Sequence, residues 1–163
     1  MSTGEGSLAR FYDGWDVYQG LLVEAVGGLT AEQLALQAAP SLRPAWVLAA
    51  HIVSARAYWF HHVMGEGGAD LVAFLPWDDD GEPRRSGAEL AHGLAATWRT
   101  IADCLGRWAP AMLDDRFTTP RGYQFTRQWG IWHVMETQSR RAARRRRWRS
   151  RSAPARQPGR AGL

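Results

Sequence analysis

Apolar side chains recur at intervals of three and four residues in four stretches of the chain, which span residues 8–26, 45–64, 86–108 and 126–136. This period places them on one face of an α-helix, whereas a half-buried strand would show strict alternation, and no segment does so convincingly. A length of 163 residues suits one domain with a single core. We therefore predict an all-α protein that forms an antiparallel four-helix bundle.

Each of the four predicted helices carries aromatic side chains at the helical spacing. In chain order these faces are Phe11, Trp15, Tyr18, Leu22 and Ala25; Trp46, Ala50, Val53, Ala57 and Phe60; Leu90, Leu94, Trp98, Ile101 and Leu105; and a fourth segment that holds Trp129, Trp132, His133 and Glu136.

Two capping boxes and two long connections set the predicted helix boundaries. Thr30 with Gln33 caps a short helical turn over residues 30–36, and Ser86 with Glu89 starts the third helix. Residues 65–85 lack a helical period and form a long crossover loop between the second and third helices, with residues 71–77 tucked against the body. Residues 110–122 form the second connection.

The charge of the chain changes sign at Thr137. Residues 1–136 hold all 16 acidic residues and ten of the 20 arginines, whereas residues 137–163 hold the other ten arginines and no acidic residue. We divide the chain into a helical bundle, residues 1–136, and an Arg-rich tail, residues 137–163, that is disordered or frameshifted. The frameshift hypothesis rests on the Arg, Ala, Pro, Gly and Ser content expected of an out-of-frame GC-rich gene. A genuine basic tail and a truncated or engineered terminus are the alternatives.

The single cysteine indicates a reducing compartment. Cys104 has no second cysteine to pair with, and the start of the chain lacks the basic and apolar regions of a signal peptide. The longest apolar runs fall far short of the roughly 20 residues that span a bilayer. We therefore expect a cytoplasmic protein with no membrane contact.

Five histidines are the first candidates for chemistry. His51 on the second helix and His133 on the fourth could meet inside a bundle and hold a metal through neutral imidazoles. The alternative is that each is a hydrogen-bonded histidine at the edge of the core. We interpret His61 and His62 as a solvated helix end, and we expect His92 to be exposed.

Two other features favour structural roles. Asp78, Asp79 and Asp80 before Gly81 look like part of a calcium loop, but the alternating ligand spacing and the closing glutamate are absent. We interpret them as a solvated turn. Cys104 has no basic neighbours that suggest activation, and we interpret it as a small core residue.

Two separated motifs make the chain resemble the DinB/YfiT-like superfamily of metal-binding four-helix bundles. The first is Leu-Thr-Ala-Glu-Gln-Leu at residues 29–34, followed by Pro40, by Trp-Val-Leu-Ala-Ala-His-Ile at residues 46–52 and by Ala-Arg-Ala-Tyr-Trp-Phe at residues 55–60. The second is Thr-Arg-Gln-Trp-Gly-Ile-Trp-His-Val-Met-Glu at residues 126–136. The resemblance covers residues 8–136, with the helix order and long crossover in agreement.

The resemblance implies a divalent metal, most often Zn or Ni, held by one histidine of the second helix and two histidines one turn apart on the fourth. His51 and His133 match two of these positions. Thr137 and Arg141 stand at the four-residue steps after His133, where the family continues with histidine. We therefore expect the chain to lack at least one ligand and to bind metal weakly or not at all.

The resemblance also implies an activity, because tested members of this family include S-transferases that use bacillithiol or mycothiol. A metal-bound thiol would be a thiolate at neutral pH. Trp46, Trp129 and Trp132 would wall an apolar pocket for a small electrophile, and Glu136 would orient a ligand imidazole or else be a solvated carboxylate.

Three functions therefore stay open. The first is a metal-dependent thiol S-transferase or hydrolase, impaired by the aberrant C-terminus. The second is a non-catalytic, stress-related bundle that forms a homodimer through its helix faces. The third is nucleic-acid binding through the Arg-rich tail, since the acidic body would not attract a polyanion.

Overall fold

The computed structural model describes the backbone of residues 6–140 and the side chains of residues 6–136. The predicted tail lies outside the described side chains, and residues 141–163 lie outside the described backbone. The α-helices are α1 (Trp15–Gly27), α2 (Ala31–Ala35), α3 (Ala45–Arg56), α4 (Gly87–Arg107) and α5 (Arg127–Arg140), and the strands are β1 (Arg116–Thr118) and β2 (Gln124–Thr126). Three 3-10 segments span Leu8–Tyr12, Ala69–Asp78 and Pro110–Asp114.

The four long helices form the predicted all-α bundle, with α4 packed against both α1 and α3, and α3 packed against α5. α1 and α4 are antiparallel, because a Cβ on Gly87 at the start of α4 would lie 2.8 Å from the carbonyl oxygen of Val26 at the end of α1. α3 and α4 run in the same direction, since the crossover after α3 returns the chain to the end where α3 began. Phe60 accordingly stacks on Trp108, near the ends of both helices.

Buried apolar residues form two clusters along the bundle. The first surrounds α3 and the start of α4 and contains Val26, Leu34, Ala49, Ala50, Ile52, Val53, Ala57, Leu71, Phe74, Leu90, Leu94 and Ala96. The second lies at the other end and contains Leu8, Trp15, Trp59, Phe60, Met64, Ile101, Cys104, Leu105, Trp108, Ile131 and Val134. None of the helices in the described part of the chain combines the length and the apolar character that a membrane span requires.

Both predicted capping boxes are confirmed. The Thr30 hydroxyl accepts the Gln33 N–H and the Gln33 side chain accepts the Thr30 N–H, and Ser86 and Glu89 make the same reciprocal pair at the start of α4. Each box satisfies two backbone N–H groups that have no partner within the helix. The prediction that the crossover packs against the body holds, because Leu71 and Phe74 are buried, but residues 69–78 form a 3-10 segment where a loop was predicted.

The predicted face of the first helix is wrong in part. Phe11 and Tyr18 are 74% and 72% exposed, whereas Trp15, Gln19 and Val26 are buried. The reason is a break at position 14, where Gly14 has a φ of 88° and separates a 3-10 turn from α1. The break shifts the helical phase, so that Phe11 does not continue the buried face of α1. Tyr18 and Ala25 lie within α1 but beside its buried stripe, which runs through Trp15, Gln19 and Val26.

A β-hairpin replaces part of the second predicted connection. β1 and β2 pair antiparallel with Phe117 opposite Phe125, and α5 follows β2 directly. Each strand has three residues, too few for a recognisable alternation. Arg127, the first residue of α5, ties the hairpin to the bundle, because its guanidinium donates to Asp115 at 3.0 Å and to the Met112 carbonyl at 3.1 Å.

The second predicted helix is regular only in its first half. α3 ends at Arg56 and continues as a π-helix, Ala57–Val63. The Met64 N–H donates to the Trp59 carbonyl at 3.1 Å, a step of five residues, where an α-helix takes four. This wider turn carries Trp59 and Phe60, which are both buried in the second cluster.

Candidate active site

His51 and Asp78 form a hydrogen-bonded pair between α3 and the crossover. The Nδ1 atom of His51 lies 2.5 Å from Oδ2 of Asp78, and the two side chains are 12% and 19% exposed. Arg43, just before α3, places its Nη1 atom 3.6 Å from the other carboxylate oxygen of Asp78. This Asp78 contact corrects the interpretation of residues 78–80 as a fully solvated turn, although Asp79 and Asp80 are exposed.

The crossover is fixed on both sides of the pair. Ser54, one turn after His51 on α3, donates its hydroxyl hydrogen to the Leu75 carbonyl at 2.7 Å. The ring of Trp77 fills the space beside Gly93 on α4, where a Cβ would lie 2.7 Å from the indole. Because Asp78 follows Trp77 directly, these two contacts determine where its carboxylate lies.

The carboxylate determines how the imidazole of His51 can act. With Asp78 accepting a hydrogen bond at Nδ1, the favoured neutral tautomer carries its proton there, and Nε2 becomes the acceptor atom of the ring. An imidazole oriented in this way suits either proton transfer or metal ligation through Nε2.

His133 belongs to a column of aromatic rings along α5. Its imidazole stacks on Trp129 at 4.6 Å between ring centroids, and Trp129 stacks in turn on Phe125 at 4.3 Å. Trp59, from the π-helix, lies against the column and is 5.2 Å from His133. The column is partly exposed along α5, so it presents an apolar surface at the bundle's edge.

Of the three predicted pocket tryptophans, Trp46 packs in a different cluster from Trp129. Trp46 packs against the first cluster with Arg84 over its ring, and Trp129 packs against the second. Trp132 is 53% exposed, because the buried residues of α5 are Arg127, Gly130, Ile131 and Val134, on the other side of the helix. Glu136 is half-buried, and its role in orienting an imidazole stays a prediction.

The described residues do not by themselves fit a three-ligand metal site. Within the part of the chain that the structure describes, no three His, Cys, Asp or Glu side chains are grouped so that they could hold a metal ion. A catalytic zinc usually takes three protein ligands and one open position. His51 has the carboxylate partner typical of a ligating histidine, but the donor set around it is incomplete.

Other sequence candidates are separate from the His51–Asp78 pair. His92 is exposed, as predicted, and so is His62, while half-buried His61 is within hydrogen-bond distance of the Glu66 carbonyl at the end of the π-helix. Cys104 is buried in the second cluster, as predicted. Burial, together with the negative charge of Glu66, raises the pKa of its thiol to about 12.

Asp78 and Arg43 are the site residues that sequence analysis missed. Asp78 lies 27 residues after His51, at the end of the 3-10 segment Ala69–Asp78, so spacing along one helix could not relate the two. A usable signal was present, because Asp78 directly follows apolar residues 71–77, the part of the crossover predicted to contact the body.

Comparison with known proteins identifies the class. The chain is similar in structure to a DinB-like protein from Bacillus cereus ATCC 10987, with 18% sequence identity, a TM-score of 0.60, and coverage of 82% of this chain and 85% of that one. At this identity the likeness shows the fold, which is that of the DinB-like helical bundles. Comparison with curated proteins gives no match.

The family itself follows from a sequence model described as mycothiol-S-transferase, which matches residues 16–149. The match covers most of the chain, and this chain therefore belongs to the mycothiol-S-transferase family. It also confirms the resemblance to the DinB/YfiT-like superfamily.

Proposed function

We propose that this protein transfers a low-molecular-weight thiol of the mycothiol or bacillithiol class to a small electrophile. The observation that carries the proposal is the family match over residues 16–149. The His51–Asp78 pair supports it, because an oriented imidazole is a group that thiol chemistry needs. A hydrolase on the same scaffold would use the same pair on water, and thiol-dependent product formation distinguishes the two.

The nucleophilic sulfur has to come from outside the chain. Cys104 is the one cysteine in the sequence, it is buried, and the pKa of its thiol is raised to about 12 by burial. Only the thiolate is a strong nucleophile, so this side chain is inert at neutral pH. A soluble thiol would therefore supply the sulfur.

In the proposed reaction, the thiol hydrogen bonds to Nε2 of His51 and loses its proton to that atom as sulfur attacks the electrophilic carbon. A carbon–sulfur bond forms, the bond from carbon to the leaving group breaks, and the leaving group departs with the electron pair. Asp78 stabilises the imidazolium, and Arg43 holds the second carboxylate oxygen. The proton then passes to the leaving group or to solvent.

Removing His51 should abolish most of the thiol transfer. We expect His51→Ala to lower kcat/KM on the order of 100-fold or more, since general-base catalysis contributes that much, and Asp78→Asn to lower it by roughly tenfold through loss of orientation. The assay follows conjugation of purified mycothiol, and separately bacillithiol, to a fluorogenic haloalkyl-type electrophile.

His92→Ala is the matched control, because His92 is an exposed histidine on a different helix. Its rate should equal that of the wild type. Equal rates for His51→Ala and wild type, with measurable thiol-dependent conjugation, would remove His51 from the mechanism.

A second candidate function is a non-catalytic homodimer, favoured by the surface of α1. Among the described residues, eight large apolar side chains are strongly exposed, and three of them, Val17, Tyr18 and Leu21, lie within about one turn of α1. Such grouping is typical of an interaction surface.

We expect Leu21→Glu to convert a dimer into a monomer in light scattering, while Val72→Glu, at another exposed apolar position, leaves the mass unchanged. A wild-type monomer at high concentration would exclude this function.

A further inference from the structure

The chain offers few side chains that could complete a metal site. Zn²⁺ and Ni²⁺ are bound in proteins mainly by His, Cys, Asp and Glu. Among the residues that the structure describes, no three of these lie together in a metal-binding group. Any third ligand therefore has to come from the remaining segments of the chain.

Those segments contain almost no donors. Residues 137–163 include no His, Cys, Asp or Glu, and residues 1–5 include one, Glu5. The shortage of ligand side chains is therefore a property of the sequence and not only of the described part. Apart from Glu5, no His, Cys, Asp or Glu stands before residue 6 or after residue 136.

The His51–Asp78 contact is not that of two ligands on one ion. Ligands of a tetrahedral zinc each lie about 2 Å from the metal, which separates them by more than 3 Å. The Nδ1 and Oδ2 atoms are 2.5 Å apart, the distance of a direct hydrogen bond. Asp78 therefore occupies the Nδ1 side of His51, and Nε2 alone could ligate.

We propose that this chain does not complete a three-ligand metal centre, and that the missing ligand position is residue 137. α5 continues through this position, one turn after His133, where a second imidazole would face the same way. Threonine stands there instead. Building on the proposed function, thiol transfer in this chain uses the His51–Asp78 pair and needs no bound Zn²⁺ or Ni²⁺.

Calorimetric titration of the chelator-treated, full-length protein with Zn²⁺ alone and with Ni²⁺ alone tests the proposal. We expect no site tighter than about 10 µM, against nanomolar or tighter binding for complete sites. Thr137→His should tighten binding by at least roughly tenfold. Gln138→His adds the same imidazole on a different side of α5 and should bind like the wild type.

A wild-type site with one tight metal per chain, lost in His51→Ala or Glu5→Gln, would overturn the proposal. Equal behaviour of Thr137→His and Gln138→His would overturn the assignment to residue 137. The thiol assay, run with and without chelator, is a separate readout. Loss of activity in the presence of chelator would overturn the metal-free reaction. A protein that binds metal weakly and shows no thiol transfer under any condition would refute the proposed function, but it would leave the inference about the metal site standing.

Discussion

Arg127→Met should destabilise the protein by about 3 kcal/mol, because it removes a buried cation and leaves the partly buried Glu66 carboxylate with one cation fewer. Arg127 is 5% exposed, and its guanidinium carbon lies 4.1 Å from the centroid of Trp108 and 4.9 Å from that of Phe117. Nη1 is 3.5 Å from a carboxylate oxygen of Glu66. The substitution removes these contacts together with the hydrogen bonds to the hairpin.

The Glu66 carboxylate accounts for much of the stability that Arg127→Met is expected to lose. Burial acts to raise the pKa of this carboxyl, but the hydrogen bond and charge of Arg107, the indole of Trp108 and the charge of Arg127 together hold it below the ordinary value. Without Arg127 the carboxylate keeps its burial and loses one of its two cations. The segment before β1 also loses the hydrogen bonds that the Arg127 side chain donates to Met112 and Asp115.

Arg107→Met is the matched control for Arg127. Arg107 lies 2.9 Å from the same Glu66 carboxylate, but its side chain is 51% exposed. Solvent screening limits such a pair to roughly 1 kcal/mol or less. Urea unfolding of both full-length variants measures the difference. If Arg107→Met costs as much as Arg127→Met, burial is not what gives Arg127 its effect.

Gln19→Leu should destabilise the protein by about 2–3 kcal/mol, whereas adding Arg56→Met should restore most of that loss. Arg56 is 1% exposed and donates to the Gln19 side chain at 2.5 Å and to the Leu94 carbonyl at 3.1 Å. Its Nε atom has no hydrogen-bond partner. Gln19→Leu removes an acceptor from a buried cation, and Arg56→Met removes the cation itself.

The same pair should make stability depend on alkaline pH. Burial lowers the pKa of Arg56 to about 9, below the value of an unfolded chain. Above that pH the unfolded chain binds more protons than the folded one at this group, so the contribution of Arg56 to stability rises with pH. Between pH 9 and pH 10, the unfolding free energy of the wild type should rise by about 1 kcal/mol relative to that of the Gln19→Leu/Arg56→Met variant. A pH-independent difference would show that Arg56 stays charged when folded.

Local sequence signals predicted much of the fold. Capping boxes involve residues three apart, so Thr30 with Gln33 and Ser86 with Glu89 could be recognised directly. The regular stripe from Leu90 to Leu105 follows one helical period throughout, and its members are buried or packed in the core. These features need no information from distant parts of the chain.

The features that were missed depend on distant partners. Gln19 and Arg127 are polar, so apolar periodicity does not predict that they are buried. Each is buried because it hydrogen bonds to a distant residue, Gln19 to Arg56 and Arg127 to Asp115. His51 could be selected from its helix and its resemblance to the family. Its partner Asp78 was not selected, because the two residues lie 27 positions apart and only the path of the crossover brings them together.

The π-helix between Ala57 and Val63 has a consequence for how this chain tolerates changes in length. A residue added to a helix turns everything after it by about 100°, unless a wider turn absorbs it. Deleting one residue here would let the segment tighten into ordinary helix and leave the start of the crossover nearly unrotated relative to α3. The segment therefore behaves as a built-in insertion whose removal should preserve the alignment of Asp78 with His51, whereas a one-residue deletion between His51 and Arg56 in α3 would rotate the crossover by about 100°.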